Sequence, residues 1–251
     1  MISIKSDEEF SLMREAGRVV AEVLAWARTS IQPGMTTAEI DAEAERIIRA
    51  RGATPEFKGY HGFPASVCAS VNDEVVHGIP GVRRLEEGDI IGIDCGARLD
   101  GFVGDAAVSL AVGQITSEVQ GLLDTCRECL DLAIEVAGPG VRISAIGAVV
   151  QRHAETRGFS LVREYTGHGI GRAMHEEPSI PNYVDWSTRR QDRLLEPGMA
   201  ICIEPMVNLG RPEVDVREDG WTVATRDGSL SAHFEHTIAI RNSGTEVMTA
   251  L

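Results

Sequence analysis

The stretch IDCGARLDGFVGDAA, residues 93–107, decides how this chain folds. Asp100-Gly101 is a strong two-residue hairpin signal, because both residues tolerate the positive φ that a tight turn requires. With that turn, Leu99 pairs with Phe102, Gly96 with Asp105 and Asp94 with Ala107. Side chains alternate faces along a strand, so Asp94 and Asp105 share a face, one diagonal step apart at roughly 7–8 Å between backbones. Two carboxylates this close inside an apolar sheet repel each other unless a proton or a cation sits between them. The alternative is a pair of solvated turn aspartates, and the rest of the chain bears on that choice.

Outward from the hairpin, the chain runs one programme twice. PGMTTAEIDAEAERIIRARG (33–52) can be laid on PGVRISAIGAVVQRHAETRG (139–158), and LEEGDIIGID (85–94) on LEPGMAICIE (195–204). The two matches are nearly in step. A period this long does not fit a solenoid. It fits a duplicated half-domain, with halves roughly 1–115 and 116–251, around one mixed or antiparallel central sheet with helices on one side. No Pro/Gly/Ser linker separates the halves, so 1–251 reads as a single domain. The alignment sets Asp94 on Glu204, a carboxylate at the end of an apolar strand in each half.

The helices are marked by capping boxes. Ser6 with Glu9 opens one whose apolar face is Phe10, Met13, Val20, Val23 and Leu24. Thr36 with Glu39 opens another, followed by Ile40, Ala44, Ile47 and Ile48 and stopped at Gly52. Ser117 with Gln120 is expected to cap a third. Its Cys126-Arg-Glu-Cys129 segment lies in a helical apolar pattern with Leu122, Leu123, Leu130 and Ile134, which points to packing. A zinc site would need a second cysteine pair, and a redox motif would open a helix after a strand.

Composition narrows the function. A chain of 251 residues with 43% hydrophobic and 25% charged residues is an ordinary globular chain with room for a sizeable core. A net charge of −14 argues against binding nucleic acid through phosphate neutralisation or docking on anionic membranes. No run approaches a membrane span, and MISIKSDEEF lacks the pattern of a secretory signal. Five scattered cysteines do not make a disulfide framework, so a reducing cytoplasm is expected.

Further acid and imidazole groups stand in similar settings: His168 and His175 in EYTGHGIGRAMHEEP, and Glu235 in LSAHFEHTIAI. GHGIG lacks the ending and spacing of a phosphate loop. Its glycines fit a backbone pressed close to a ligating side chain. Asp94, Asp105, Glu204, Glu235 and His168 together form a hard, oxygen-rich donor set. Any one alone is more simply a surface acid or a core histidine. As a set they balance two divalent ions better than one, and such metal pairs generate hydroxide near neutral pH and polarise a carbonyl or phosphoryl oxygen.

The segments GYHGFPASVCASVNDEVVHGIP, GDIIGIDCGARLDGFVGDAA, YTGHGIGRAMHEEP, LEPGMAICIEPM and DGWTVATRDGSLSAHFEHT, in that order, resemble type I methionine aminopeptidases of the minimal bacterial type. The resemblance runs from the first helix nearly to the end. It implies an α+β pita-bread (creatinase/aminopeptidase) fold: two pseudosymmetric halves around a curved, mostly antiparallel central sheet, helices outside. It implies metal ligands Asp94, Asp105, His168, Glu204 and Glu235 for two ions of Co, Mn, Fe or Zn, with Asp105 and Glu235 shared. Glu204 is then the base that takes a proton from a water bridging the ions, before attack on the first peptide carbonyl. His77 and His175 hold the substrate amide and the tetrahedral intermediate, and Tyr60, Phe63, Cys68 and Trp221 wall the methionine pocket. The implied substrate is the N-terminal methionine of nascent polypeptides near the ribosome, removed when the second residue is small, by a monomeric enzyme.

Three positions depart from the family pattern: Phe63 stands where a tyrosine is expected, Met174 where an aromatic is common, and Phe57 where a cysteine is expected. The family often binds a monovalent cation near the positions of Asn72, Glu74 and Ser231, and Glu74 is not the residue type expected there. Two other functions remain open: a proline-directed peptidase of the same fold, and a non-catalytic pita-bread binding protein.

Overall fold

The computed structural model describes residues 2–190 and 192–250. Helices α1 (Asp7–Ser30) and α2 (Thr37–Ala50) begin at their boxes. Ser6 and Thr36 each accept the backbone N–H three residues on, and Glu9 and Glu39 reach back to the cap N–H. α1 buries Phe10, Met13, Val20, Val23 and Leu24, and α2 buries Ile40, Ala44 and Ile48 with Ile47 half-buried.

Short strands β1 (Thr54–Pro55), β2 (Cys68–Val71) and β3 (Glu74–Val76) lead to the hairpin of β4 (Ile90–Leu99) and β5 (Phe102–Ala111). Its register is the expected one, Leu99 on Phe102, Gly96 on Asp105 and Asp94 on Ala107. Asp100 and Gly101 take the turn at φ 50° and 82°. Helices α3 (Ser117–Val136) and α4 (Ile143–Thr156) follow. The third cap differs from expectation: Thr116 is the N-cap, accepting from Val119 N, and Ser117 is already helical. Gln120 bonds Asp124 within the helix instead of closing a box. Cys126 and Cys129 are buried and donate to main-chain carbonyls of Pro205, Ala232 and Val150, as packing residues do.

The chain continues through β6 (Ser160–Leu161), β7 (Gly167–Gly169), β8 (Glu176–Ile180), α5 (Trp186–Arg190) and β9 (Ala200–Ile203). It ends with β10 (Met206–Asn208), β11 (Val214–Val216), β12 (Val223–Thr225), β13 (Ser231–His233), β14 (Glu235–Arg241) and β15 (Gly244–Val247). The main sheet has order β1-β4-β5-β14-β9-β7-β8, with β2 on β4 and β15 on β14. Its registered pairs are all antiparallel. Two three-stranded sheets, β13-β10-β6 and β11-β12-β3, lie beside it.

Alternation splits the main sheet into two faces. Ile91, Ile93, Ile201, Ile203, Ile238 and Ile240 join residues of all four long helices in one apolar cluster. The intervening positions, among them Val103, Ala200, Cys202 and Ala239, belong to a second cluster on the other face, with Phe57, Phe63, Cys68 and Met174. Asp94, Asp105 and Glu235 are in phase with this second set, so the register that buries the isoleucines also turns the carboxylates away from the helices.

Candidate metal centre

The centre of the sheet, β4-β5-β14-β9, brings four carboxylates together, one on each of β4, β5 and β14 and one just past β9. Asp94 and Glu235 both lie opposite Ala107, and Asp105 is two residues along from it on the same face. His236 pairs with Ile203, so Glu204, one residue past β9, comes up beside Glu235. His168 projects from β7, the neighbour of β9. The glycines around it are needed for close approach: a Cβ on Gly167 would fall 2.3 Å from Cys202 O, and one on Gly169 2.2 Å from Glu177 O.

Asp105 and Glu235 are buried, and Asp94, His168 and Glu204 are partly covered where they line one cavity of about 310 Å³. Burial raises all four carboxyls, and their mutual charge adds to it for Asp105, Glu204 and Glu235. Asp94 is pushed up to about 7, and Asp105, Glu204 and Glu235 well above the carboxylate range. Asp94 Oδ1, Asp105 Oδ1 and Glu235 Oε1 are buried acceptors with no partner among the described residues.

His168 sharpens the picture. Burial pushes its pKa down to about 4, so the ring is neutral, and Nδ1 donates to Gly169 O at 2.9 Å. That leaves Nε2 as a bare lone pair, 3.5 Å from Glu204 Oε1. A lone pair aimed at a carboxylate beside three orphaned carboxyl oxygens fits a donor set built for cations. Ligand atoms of Asp105, His168, Cys202 and Glu235 also lie within 4.8 Å of one another.

The remaining expected residues line the same cavity: His77, His175, Tyr60, Phe63, Cys68 and Trp221. His77 follows β3 at φ 60°, a conformation unfavourable for a non-glycine residue. Its ring stands edge-on to Tyr165 and Trp221. Burial lowers it to about 4 and also lowers His175, so both imidazoles are neutral near pH 7. Tyr60 Oη lies 2.8 Å from His175 Nδ1. Phe63 packs edge-on against Trp221, and Phe57 and Met174 line the cavity with them. Near Asn72, the Glu74 carboxylate accepts from Val71 N and pairs with Arg83, so an arginine supplies positive charge there.

Cys202 and His233 escaped the sequence reading. Cys202 stands two residues before Glu204, which in a strand puts it on the same face, and period-2 alternation could have flagged it. His233 lines the cavity with a buried Nε2 that has no partner among the described residues, and burial drives its pKa down to about 3. A wider hollow of about 600 Å³ beyond Thr166 shares that residue with the cavity but none of the carboxylates.

Comparison with known proteins agrees with this geometry. Metallopeptidase family M24 matches residues 11–242. Methionine aminopeptidase 1 of Bacillus subtilis strain 168 is 48% identical over 249 residues, covering 99% of each chain. Methionine aminopeptidase of Escherichia coli K12 is 44% identical, covering 99% of this chain and 94% of that one. The crystal structure of the Thermotoga maritima methionine aminopeptidase superposes with a TM-score of 0.96 at 42% identity, covering 100% of both chains. Prolidase from Pyrococcus furiosus, at 22% identity and TM-score 0.79, covers 99% of this chain but only 65% of that one, and shares the fold alone. The α+β architecture with its curled antiparallel sheet is the pita-bread fold, and the chain belongs to the methionine aminopeptidases of metallopeptidase family M24.

Proposed function

We propose that Asp94, Asp105, His168, Glu204 and Glu235 hold two divalent ions, Co, Mn, Fe or Zn, at which the chain removes N-terminal methionine from polypeptides. The observation that carries this reading is the set of orphaned buried oxygens on Asp94, Asp105 and Glu235 around one cavity. Asp105 and Glu235 lie on the adjacent strands β5 and β14 and would be shared between the ions. Such ions, when bound, make water nucleophilic near neutral pH and polarise the scissile carbonyl. The ligand set admits all four metals, and availability selects among them.

The chain's own groups do the rest. Glu204, at the mouth of β9, accepts the proton of the attacking water and hands it on to the leaving amine. His77 and His175, both neutral, each offer one N–H to the substrate amide and to charge developing on the carbonyl oxygen. Tyr60, donating to His175 Nδ1, leaves the proton of that ring on Nε2. Tyr60, Phe63, Cys68 and Trp221, with Phe57 and Met174, take the methionine side chain, where sulfur–aromatic contacts add modestly.

We read residues 1–251 as one catalytic unit, duplicated roughly at 1–115 and 116–251, with a helix pair in each half as support. Nascent chains near the ribosome in the cytoplasm are the expected substrates, and a monomer the expected state. The cysteines are free and buried, which suits a reducing compartment. Among the described residues no helix is long and apolar enough to cross a membrane.

The test is a peptide series on metal-reconstituted protein. Met-Ala-Ser should turn over, and Met-Leu-Ser should be slower by more than the roughly 10–200-fold that one methylene gives. Equal rates on both overturn the small-second-residue reading. Preference for X-Pro peptides would favour a prolidase activity instead.

A further inference from the structure

The turn that carries His175 rests on a buried charge. Lys5 lies in the arm before α1, where its backbone N–H donates to Gly198 O at 2.8 Å. Its side chain runs inward, only 3% exposed, and brings Nζ to 2.8 Å from Glu176 Oε2. Glu176 Oε1 in turn accepts the N–H of Ala173 at 3.2 Å. Between those attachment points lie Met174, a wall of the cavity, and His175. Gly171 faces the same spot: a Cβ there would fall 2.6 Å from Lys5 Cε and 2.7 Å from Glu176 Oε1. The position is thus kept clear for the pair. Gly171 O and Arg172 O are tied down by Val103 N and Arg98 Nη1, at 2.9 and 2.8 Å, so the turn is fixed at both ends.

A buried ammonium is a poor source of stability, since a packed apolar residue of similar volume often serves as well or better. What the pair does supply is a fixed geometry. We propose that Lys5 is a positioning residue for His175: through the Glu176 carboxylate it sets the turn at 171–176 so that the imidazole meets the carbonyl oxygen as charge develops. The proposal rests on the role given to His175 above. Small displacements matter at such a place, because a misplacement of about 1 Å can cost about 10²-fold in rate.

The experiment compares Lys5→Met, Glu176→Gln, His175→Ala and the double variant Lys5→Met/His175→Ala, each loaded with metal and assayed on Met-Ala-Ser. Lys5→Met should lower kcat by about 10-fold or more, leaving bound metal unchanged and KM within about 2-fold. In the His175→Ala background the same change should lower kcat by less than about 2-fold, because its effect passes through a ring already removed. Lys5→Arg should recover part of the loss. Wild-type kcat in both Lys5→Met and Glu176→Gln, with His175→Ala slow, overturns the clamp. So does an equal loss with and without His175, which marks general loosening of the fold. His175→Ala at wild-type rate overturns the role of His175 itself. Should Lys5→Met not fold, Glu176→Gln, which keeps the shape of the acid, is read by the same criteria.

Discussion

The first half of the chain keeps its two central acids inside one hairpin, whereas the second half spreads its candidate ligands over separate short strands. β4 and β5 pair along the whole of both ten-residue strands, with Asp94 and Asp105 well inside. β9 has only four residues, Glu204 lies just past its end, and the chain passes through β10, β11, β12 and β13 before it returns at Glu235. The hairpin is a rigid seat for charge. The excursion sacrifices regularity and in exchange brings Met206, Trp221 and His233 over the cavity. The hairpin thus contributes two of the five candidate ligands, and the irregular half contributes His168, Glu204 and Glu235 together with His175, Met206, Trp221 and His233.

Removing metal tests what both halves share, and should abolish turnover altogether. It should also expose the acids to titration. A carboxyl whose pKa is raised by folding binds its proton more tightly folded than unfolded. Its contribution to stability is full below the unfolded value and is lost as pH rises through the folded one. For Asp94 that loss runs through about 7. The melting temperature of metal-free protein should therefore fall as pH climbs from about 4 past neutrality. Divalent metal should flatten the slope. A metal-free protein that turns over fully, or that gains stability over this range, contradicts the site.

The halves separate in the next pair of variants. Asp105→Ala removes an acid from the rigid seat. Outer-shell changes alone cost about 10–100-fold in metal affinity, so loss of this acid should cost more than about 100-fold. The metal-free sheet should suffer little, because repulsion is relieved. Glu204→Gln keeps shape and one oxygen donor just past the end of β9. With bound metal counted at saturation, its kcat should fall by at least about 10² while metal stays. If the two variants lose metal equally, the distinction between seat and base collapses. If Glu204→Gln keeps both metal and rate, the base lies elsewhere.

The same contrast explains what could be read from the sequence. The hairpin register was legible because Asp-Gly and strict alternation are local signals, and the caps at Ser6 and Thr36 for the same reason. At Thr116-Ser117 two capping residues are adjacent and the pattern alone does not choose between them. The repeat hides a real difference: α2 has its own box, but α4 has none at Arg142, and Asp192 from a distant loop bonds Ser144 N and Oγ instead. Long-range caps of this kind leave no local trace. Strands of three residues, such as β10 to β13, are too short for periodicity, so Trp221 was reached only through the family resemblance, and Met206 and His233 were invisible until the fold set them in place.

Tyr60→Phe asks whether the regular half also tunes the imidazole of His175, to which the proposed function gives a catalytic role. It removes the hydroxyl at His175 Nδ1 and leaves the ring as a wall of the methionine pocket. One hydrogen bond is worth about 0.5–1.5 kcal/mol, so kcat should fall roughly 2–10-fold with KM little changed. A shift confined to KM would make Tyr60 only a wall.

The smallest expected effect concerns how the first half holds that wall. Glu45 on α2 accepts from Lys58 Nζ at 2.7 Å, Arg49 Nε at 2.7 Å and Ser66 Oγ at 3.0 Å, beside Asp41, which takes the N–H groups of Ser66 and Val67. The bonds to Lys58 and Arg49 pull Glu45 down to about 2. Its stabilisation is therefore present above the ordinary carboxylate range and is lost as pH falls towards about 2. Glu45 is half-buried but its partners Lys58 and Arg49 are exposed, so screening reduces the worth of the pairs to about 0.2–1 kcal/mol. Glu45→Gln should lower the melting temperature at pH 7 by no more than about 2–4 °C, and less as the medium is acidified or salt is added. KM for Met-Ala-Ser should stay within about 2-fold, since Asp41 still holds the loop through two backbone bonds worth about 1 kcal/mol each. A large rise in KM would mean that this surface network, and not the packing of Phe63 on Trp221, sets the shape of the methionine pocket.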